Sequence, residues 1–331
     1  MLRPLLEWNP RPSSKTIPDV PTLRSHGDDL MAEALGVAVH SGSPPHANPA
    51  LEGAIAIASQ LAAVDHFETN CGLGVRGADV VGVLGVGCVA EIVNPGAAAG
   101  DRLVRVRPDP QGQPTTFSRT VLLRFDGGDC AAIPAIEGYI VTIVVDRDGG
   151  GNGPADGIVQ VAYTPSQNDH RFGEFQANRE QIESLRALVA GLARKGVLRL
   201  GKDVAPAFAA KTRVYKAYDP TLGIYAAYAY NDAGLIDGVR SVDGFMRLNL
   251  SGATVYDIAL LLREAKTTAY QTLFPFCPML SQGWALLRVL GADVPTAVRD
   301  ASQHRRASLW TTFKPTGGDF LFGAARKGEL K

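Results

Sequence analysis

The sequence predicts an α+β protein in which an antiparallel β-sandwich or small barrel is followed by an α-helical bundle. From about residue 66 to residue 165, short apolar runs rich in Val and Gly alternate with turn residues, without helical patterns between them. From residue 174 onwards, apolar residues recur at helical spacing. A chain of 331 residues is also long enough for two domains, at roughly 150 residues each.

The N-terminal residues 1–49 are predicted to form an extended arm, because Pro, Ser, Gly and Asn are frequent there. One short helix is expected in this arm at 28–39, DDLMAEALGVAV, where two aspartates can cap the N-terminal end. A second helix is expected at 50–65 from its length and alanine content.

The segment 50–165 is assigned to a β-rich domain. Its strand candidates lie at 102–108, 120–125, 132–146 and 158–165. The end of the third candidate is expected to pair with the fourth as a hairpin across the loop GGGNGPADG. Alternation in the first candidate places Arg105 and Arg107 on one face and Val104 and Val106 on the other.

The segment 174–331 is assigned to an α-helical domain. Helices are expected at 177–195, 203–216, 221–233, 236–248, 254–266 and 279–291, with weaker patterns at 295–304 and 317–327. The stretch YDPTLGIYAAYAYNDAG (218–234) is interpreted as a central bundle helix rather than a ligand surface. In this interpretation Asp219-Pro220 begins the helix and Gly234 ends it.

The overall composition excludes several classes of function. With 33 basic and 33 acidic residues the formal net charge is zero, which argues against a nucleic-acid or anionic-membrane partner. No apolar run approaches ~18 residues, and the N-terminus lacks the apolar centre of a signal peptide, so a cytoplasmic protein without membrane spans is expected. The four cysteines form no CxxC pair, and we expect them to be buried, with no disulfide, metal or cofactor.

A cysteine nucleophile is the main catalytic alternative. The densest local set is His66, Glu68 and Cys71 in DHFETNCG, but in an extended strand His66 and Cys71 point to opposite faces. A buried cysteine at a helix-to-strand junction is the favoured interpretation. The alternative is a cysteine hydrolase or peptidase that uses Cys71 or Cys277 with a distant histidine.

Arginines cluster in the β-rich segment, at positions 102, 105, 107, 119 and 124. A basic stripe on a sheet can bind nucleic acid when aromatic residues interleave with it. Because the net charge is zero, we favour a solvated outer face paired with Asp101, Asp109 and Asp126.

A second charged cluster, QHRRASLW at 303–310, is a candidate protein-interaction site. It contains His304, Arg305, Arg306 and Trp310, and exposed Arg beside Trp is typical of interface hot spots. The alternative is a solvated helix end next to a core tryptophan.

Three stretches, SRTVLLRFDGGDCAAIPAIEGYIVTIVVD, GIVQVAYTPSQND and YDPTLGIYAAYAYNDAG, resemble the non-catalytic C-terminal region of some bacterial caspase-like proteins. The resemblance spans roughly residues 66–331. It implies a bacterial protein in a protease-centred signalling or antiphage defence pathway. Caspase-like catalysis requires a His-Gly strand end and a Cys followed by a small-residue loop, and no stretch of this chain offers both.

The resulting expectation is a non-catalytic regulatory or interaction protein. It would be an accessory part, a fragment or a target of such a protease, and its partner would be a protein. The arm 1–49 would suit cleavage or partner capture, because exposed flexible segments are where proteases cut.

Overall fold

The computed structural model describes residues 70–93, 101–109, 118–146, 157–193, 198, 200–250, 254–266 and 273–330. These residues form a mixed α+β structure with ten strands and nine helices. The arm at 1–49 and the helix expected at 50–65 lie outside the described residues.

Eight strands come first along the described chain, and nine helices follow with two short strands between them. The strands are β1 (Cys71–Arg76), β2 (Val80–Val86), β3 (Cys88–Ile92), β4 (Asp101–Pro108), β5 (Ser118–Phe125), β6 (Cys130–Ile136), β7 (Tyr139–Asp146), β8 (Gly157–Pro165), β9 (Thr254–Val255) and β10 (Leu273–Phe274). The helices are α1 (Phe172–Ala177), α2 (Arg179–Ala193), α3 (Ala205–Thr212), α4 (Pro220–Asp232), α5 (Ile236–Asn249), α6 (Tyr256–Leu261), α7 (Ser281–Leu286), α8 (Thr296–Ser302) and α9 (Pro315–Arg326). A 3₁₀ turn, Arg213–Tyr215, follows α3.

The strands form a five-stranded sheet in the order β3-β4-β1-β7-β8, a three-stranded sheet β2-β5-β6, and the short pair β9-β10. The antiparallel prediction for the β-rich segment is wrong for one pair, because β1 pairs in parallel with β7. The short strands β9 and β10, in the segment predicted to be helical, also pair in parallel. Five strands separate β1 from β7 along the chain, so the connection is long enough for a parallel pairing. Among the described residues no sheet closes on itself, so the predicted barrel does not form there.

The two larger sheets share one apolar core. Leu73 and Val75 of β1 lie in the same buried cluster as Val121 and Leu123 of β5 and Ile133 of β6. In β4 the predicted alternation is confirmed, because Val104 and Val106 are buried whereas Arg105 and Arg107 are at least partly exposed.

The long strand predicted at 132–146 is instead two strands, β6 and β7, separated by a turn at Glu137-Gly138. Both strands are almost entirely buried and therefore apolar. The sequence pattern on either side of the turn is the same, so it does not indicate where one strand ends and the next begins. The predicted hairpin is confirmed, since β7 pairs antiparallel with β8 from Tyr139 opposite Pro165 to Asp146 opposite Gly157.

Five of the predicted helices agree closely with α2, α4, α5, α8 and α9. The helix predicted at 254–266 begins as strand β9 and continues only as the short α6, and the one predicted at 279–291 is reduced to α7. Within the described ranges, no helix is long and apolar enough to cross a membrane.

Helix α4 is the buried helix that the tyrosine- and alanine-rich stretch predicted. Asp219 caps its N-terminal end by accepting a hydrogen bond from the Thr221 amide at 3.0 Å. Tyr225 and Tyr228 are fully buried, which confirms that this stretch lies inside the protein. Gly234, with φ of 75°, ends the helix.

A buried ion pair joins the helices to the large sheet. The Nε of Arg186 in α2 donates to Oδ2 of Asp219 at 2.8 Å, and both side chains are at most 1% exposed. The same guanidinium donates to the carbonyl oxygen of Tyr163 in β8 at 2.7 Å, while Oδ1 of Asp219 accepts from the Tyr163 amide at 3.2 Å. This pair therefore fixes α2 and the start of α4 against β8.

Candidate functional site

The two candidate nucleophiles have environments that suppress thiolate formation. Cys71 begins β1, where burial, with smaller contributions from Cys88 and Glu137, raises the pKa of its thiol to about 12. Burial also raises the pKa of the Cys277 thiol, and the nearby Asp257 adds to this effect. A thiol must ionise to act as a nucleophile, so both positions are poorly suited to catalysis at neutral pH. His66 and Glu68 lie outside the described residues.

The arginine stripe is paired with acidic side chains. The observed ion pairs are Arg102 with Asp79, Arg105 and Arg107 with Glu91, and Arg124 with Asp319. The side chain of Arg119 lies outside the described residues. Arg105, Arg107 and Arg124 are therefore neutralised and at least partly exposed, as expected for a solvated outer face, whereas Arg102 is buried.

Trp310, the proposed aromatic anchor of the C-terminal cluster, is a core residue. It is 1% exposed, and its ring meets that of Tyr225 edge-on, with centroids 5.9 Å apart. Arg306 donates two hydrogen bonds to the carboxylate of Asp129, at 2.9 and 3.1 Å. Burial of the tryptophan contradicts the exposed Arg-Trp pair on which the hot-spot interpretation depended.

The other two members of this cluster also pack onto the protein. Arg305 lies over the ring of Trp284 at 4.7 Å, and His304 stacks on Phe320 with ring centroids 6.1 Å apart. The four residues therefore do not present one shared exposed surface. A core tryptophan beside a charged segment, the alternative from the sequence, describes their arrangement.

A groove with a volume of about 410 Å³ lies at the ends of several helices, and we call it the helix-end groove. Its volume is within the range of ~300–1,000 Å³ that is typical of ligand sites. It is lined by the end of α4, the start of α5, the end of α6 and the segment after α7. The lining residues are Asn231, Gly234, Ile236, Arg240, Leu261, Leu262, Arg263 and Leu290.

The walls of the helix-end groove are largely apolar. Leu261 is buried, Leu262 and Leu290 are half-buried, and Ile236 is partly exposed. The polar residues of the lining are Asn231, Arg240 and Arg263, and both arginines are exposed. This combination suits a ligand that has an apolar body and an anionic group.

Two of the helical segments at the groove end in the same way, on a glycine with positive φ. At the end of α4 the Leu235 amide donates to the Tyr230 carbonyl at 2.8 Å, across Gly234. After α7 the Ala292 amide donates to the Leu287 carbonyl at 2.9 Å, across Gly291 with φ of 67°. These are Schellman ends, in which the left-handed residue is usually glycine.

The end of α6 has the same hydrogen bonds but an arginine in the left-handed position. The Glu264 amide donates to the Ala259 carbonyl at 2.8 Å, and the Arg263 amide donates to the Leu260 carbonyl at 3.0 Å. Arg263 has φ of 62° and is the one non-glycine residue with positive φ within the described part of the chain. This backbone conformation turns the chain sharply at the groove.

The charged side chains around the groove pair with residues other than Arg263. Arg240 pairs with Asp237 at 2.6 Å, but both side chains are more than half exposed, so water weakens this pair. The carboxylate of Glu264 instead accepts from Arg247 at 2.9 Å. Among the residues that the structure describes, no carboxylate contacts the side chain of Arg263.

Sequence reasoning did not find the helix-end groove. It extended a helix through 254–266, because the stretch LLREAK contains no glycine or asparagine to stop it. The sequence therefore contains no residue that marks the end of α6. In the structure, Arg263 takes the left-handed position that glycine usually occupies at a helix end.

Comparisons with protein-family models, with curated proteins and with solved structures find no match to this chain. The caspase-like resemblance is therefore neither supported nor refuted by known proteins.

Proposed function

We propose that this chain is a non-catalytic regulatory or interaction protein that binds a protein partner in the helix-end groove. The observation that carries the proposal is the apolar groove lined by Arg263, whose side chain contacts no carboxylate within the described ranges. Concave apolar sites with a few polar groups are the usual places for ligand recognition. Because Ile236, Arg240 and Arg263 are exposed, the groove is open to a partner from solution.

The thiol environments favour binding over cysteine hydrolase chemistry. At both Cys71 and Cys277 burial raises the pKa of the thiol, whereas a catalytic cysteine needs a lowered one. This is support for the non-catalytic proposal from two independent positions in the fold.

The proposal also includes the domain arrangement of the protein, its location and its pathway. The apolar core shared by the two larger sheets supports a β-sandwich, followed by a helical bundle. The cytoplasmic setting in a bacterial protease-linked signalling or defence pathway is carried by the sequence alone, and a protease is one candidate partner.

A photo-crosslinking experiment tests the groove directly. A benzoylphenylalanine placed at Ile236, which lines the groove, is compared with the same group at Val214, which is 61% exposed and does not line it. In the native host, we expect a protein that crosslinks from position 236 alone. The purified partner should then bind the Arg240→Ala variant more weakly than the wild-type chain.

Two results would contradict this proposal. Equal crosslinking from both positions, or unchanged affinity of the Arg240→Ala variant, would show that the groove is not the binding site. A hydrolase activity toward peptide or ester substrates that Cys71→Ala or Cys277→Ala abolishes would show that the chain is an enzyme.

A further inference from the structure

The left-handed arginine at the helix-end groove is an exception in the part of the chain that the structure describes. Schellman ends close on Gly234, Gly291 and Gly328, the last with the Glu329 amide donating to the Ala324 carbonyl at 2.9 Å. At Arg263 the same geometry is imposed on a residue with a Cβ, for which the left-handed region is sterically unfavourable. A non-glycine residue held in such a conformation is a reason to examine what its side chain does.

One structural explanation for Arg263 must be separated from a binding role. A cation at a helix C-terminus is stabilised by the helix dipole. Helix α6 has only six residues, so few peptide dipoles add up at its end. A test must therefore measure stability and binding in the same variant.

The chemistry of the groove combines an apolar wall with an anion-binding fork. Leu261, Leu262 and Leu290 supply the wall, and the planar guanidinium of Arg263 can bind a carboxylate through two parallel hydrogen bonds. Asn231 adds a neutral amide to the same lining.

In a polypeptide, an apolar side chain and a carboxylate belong to one residue only at the C-terminus of the chain. An internal Asp or Glu has a carboxylate but no apolar side chain. An internal Leu has an apolar side chain but no carboxylate. We propose that the helix-end groove captures the C-terminal residue of its partner, with the apolar side chain against the leucines and the free carboxylate on Arg263. This inference rests on the proposed function and specifies the part of the partner that is recognised.

The test uses the full chain and a fluorescein-labelled peptide, Gly-Ser-Gly-Ser-Ala-Leu, with a free carboxylate, followed by fluorescence anisotropy. The same peptide with a C-terminal amide, and one that ends in Lys, are the matched ligands. We expect the free-acid leucine peptide to bind roughly 10- to 100-fold more tightly than the amide, because the amide cannot form the charge-assisted hydrogen bond. A similar margin of roughly 10- to 100-fold is expected over the Lys peptide, which keeps the carboxylate but loses the burial of the leucine side chain.

The variant Arg263→Gly separates binding from folding. Glycine is favoured in the left-handed position, so the urea midpoint should stay the same or rise, while peptide affinity falls by roughly 10- to 100-fold. The control is Arg213→Ala, which removes the same charge from an exposed arginine outside the groove and should change neither measurement.

Each other outcome overturns the inference. If Arg263→Gly lowers the urea midpoint and leaves peptide affinity unchanged, the arginine stabilises the helix end and does not bind a ligand. If acid and amide peptides bind equally, or neither binds, no chain end is recognised. If 4-methylpentanoate, a free acid of similar shape, binds as tightly as the peptide, the site takes a small molecule rather than a chain end.

Failure of this inference can be distinguished from failure of the proposed function. A partner found by crosslinking can be prepared with a residue such as Lys added to its C-terminus. If the extended partner binds as well as the native one and still needs Arg240, the chain-end inference is wrong while the groove remains the interaction site.

Discussion

Replacing Asp219 by Asn should destabilise the protein strongly, because it removes one charge of a fully buried ion pair. In the wild-type chain Oδ2 of Asp219 accepts from Arg186 Nε at 2.8 Å, and Oδ1 accepts from the Thr221 and Tyr163 amides at 3.0 and 3.2 Å. Asparagine can keep the oxygen that caps α4, but it turns an amide nitrogen toward the guanidinium. Leaving a buried charge unpaired costs about 3–5 kcal/mol, which is the loss expected for Asp219→Asn.

Urea unfolding followed by circular dichroism measures this loss. With a slope of about 2 kcal/mol per M, the midpoint should fall by about 1.5–2.5 M. The matched control is Asp237→Asn, the same chemical change in the exposed pair with Arg240, for which a loss of at most about 1 kcal/mol is expected.

A second variant decides whether the unpaired charge is the cause. Combining Asp219→Asn with Arg186→Met removes both charges and keeps an apolar side chain of similar length, so most of the lost stability should return. A midpoint for Asp219→Asn that matches the Asp237→Asn control would show that the buried ion pair adds no more to stability than the exposed one. A double variant that is no more stable than Asp219→Asn alone would show that the unpaired charge is not the cause of the loss.

Three further predictions follow from the buried groups. Burial raises the pKa of the Cys71 and Cys130 thiols to about 12 and about 11, so both should react with dithiobis-nitrobenzoate at pH 8 much faster after unfolding than before it. Equally fast reaction in the native protein would contradict these raised pKa values. Burial raises the pKa of Asp257 to about 6, above its unfolded value, so its contribution to stability is present at low pH and is lost as the pH rises from about 4 to about 6. Relative to Asp257→Asn, wild-type unfolding free energy should fall by on the order of 2–3 kcal/mol over that range, and parallel profiles would contradict this. Trp310→Ala should lower the free energy of unfolding, measured in urea, by about 3–5 kcal/mol, because the tryptophan is a core residue. Arg306→Ala should lower it by only about 1 kcal/mol, because its ion pair is partly exposed. Similar losses for both variants would contradict the core position of the tryptophan.

Helix α4 could be predicted from the sequence because its limits are set by local chemistry. Asp219 and Pro220 are residues that favour the first turn of a helix, and Gly234 favours the left-handed position beyond its last turn. The burial of its tyrosines was also predictable, since a helix with apolar and small residues all round has no face to turn to water.

Other features depended on contacts that one segment cannot reveal. The parallel pairing of β1 with β7 joins Cys71 to Tyr139, a partner far along the chain. The turn between β6 and β7 was hidden because both strands are buried and remain apolar. Tertiary packing overrides local propensity in such cases.

The candidate site was missed for a related reason. Arg263 is a good helix former, so its propensity indicates a continuing helix rather than a left-handed stop. Only the surrounding helix ends show that the chain must turn there, and only the packed structure shows that the turn opens into a groove.

Helix α4 links the buried ion pair to the helix-end groove. Its thirteen residues span about 20 Å at 1.5 Å per residue, from the end that Asp219 anchors to β8 to the end where Gly234 lines the groove. Residues 220–230 are all buried, so the helix is held along most of its length and the groove wall that it forms is preorganised. A ligand that binds this wall binds only the folded chain, and at 100 times its dissociation constant it should therefore raise the unfolding free energy by about 2.7 kcal/mol. The leucine peptide should produce this increase in the wild-type protein, and at the same concentration a much smaller one in Arg263→Gly, where the affinity is expected to fall.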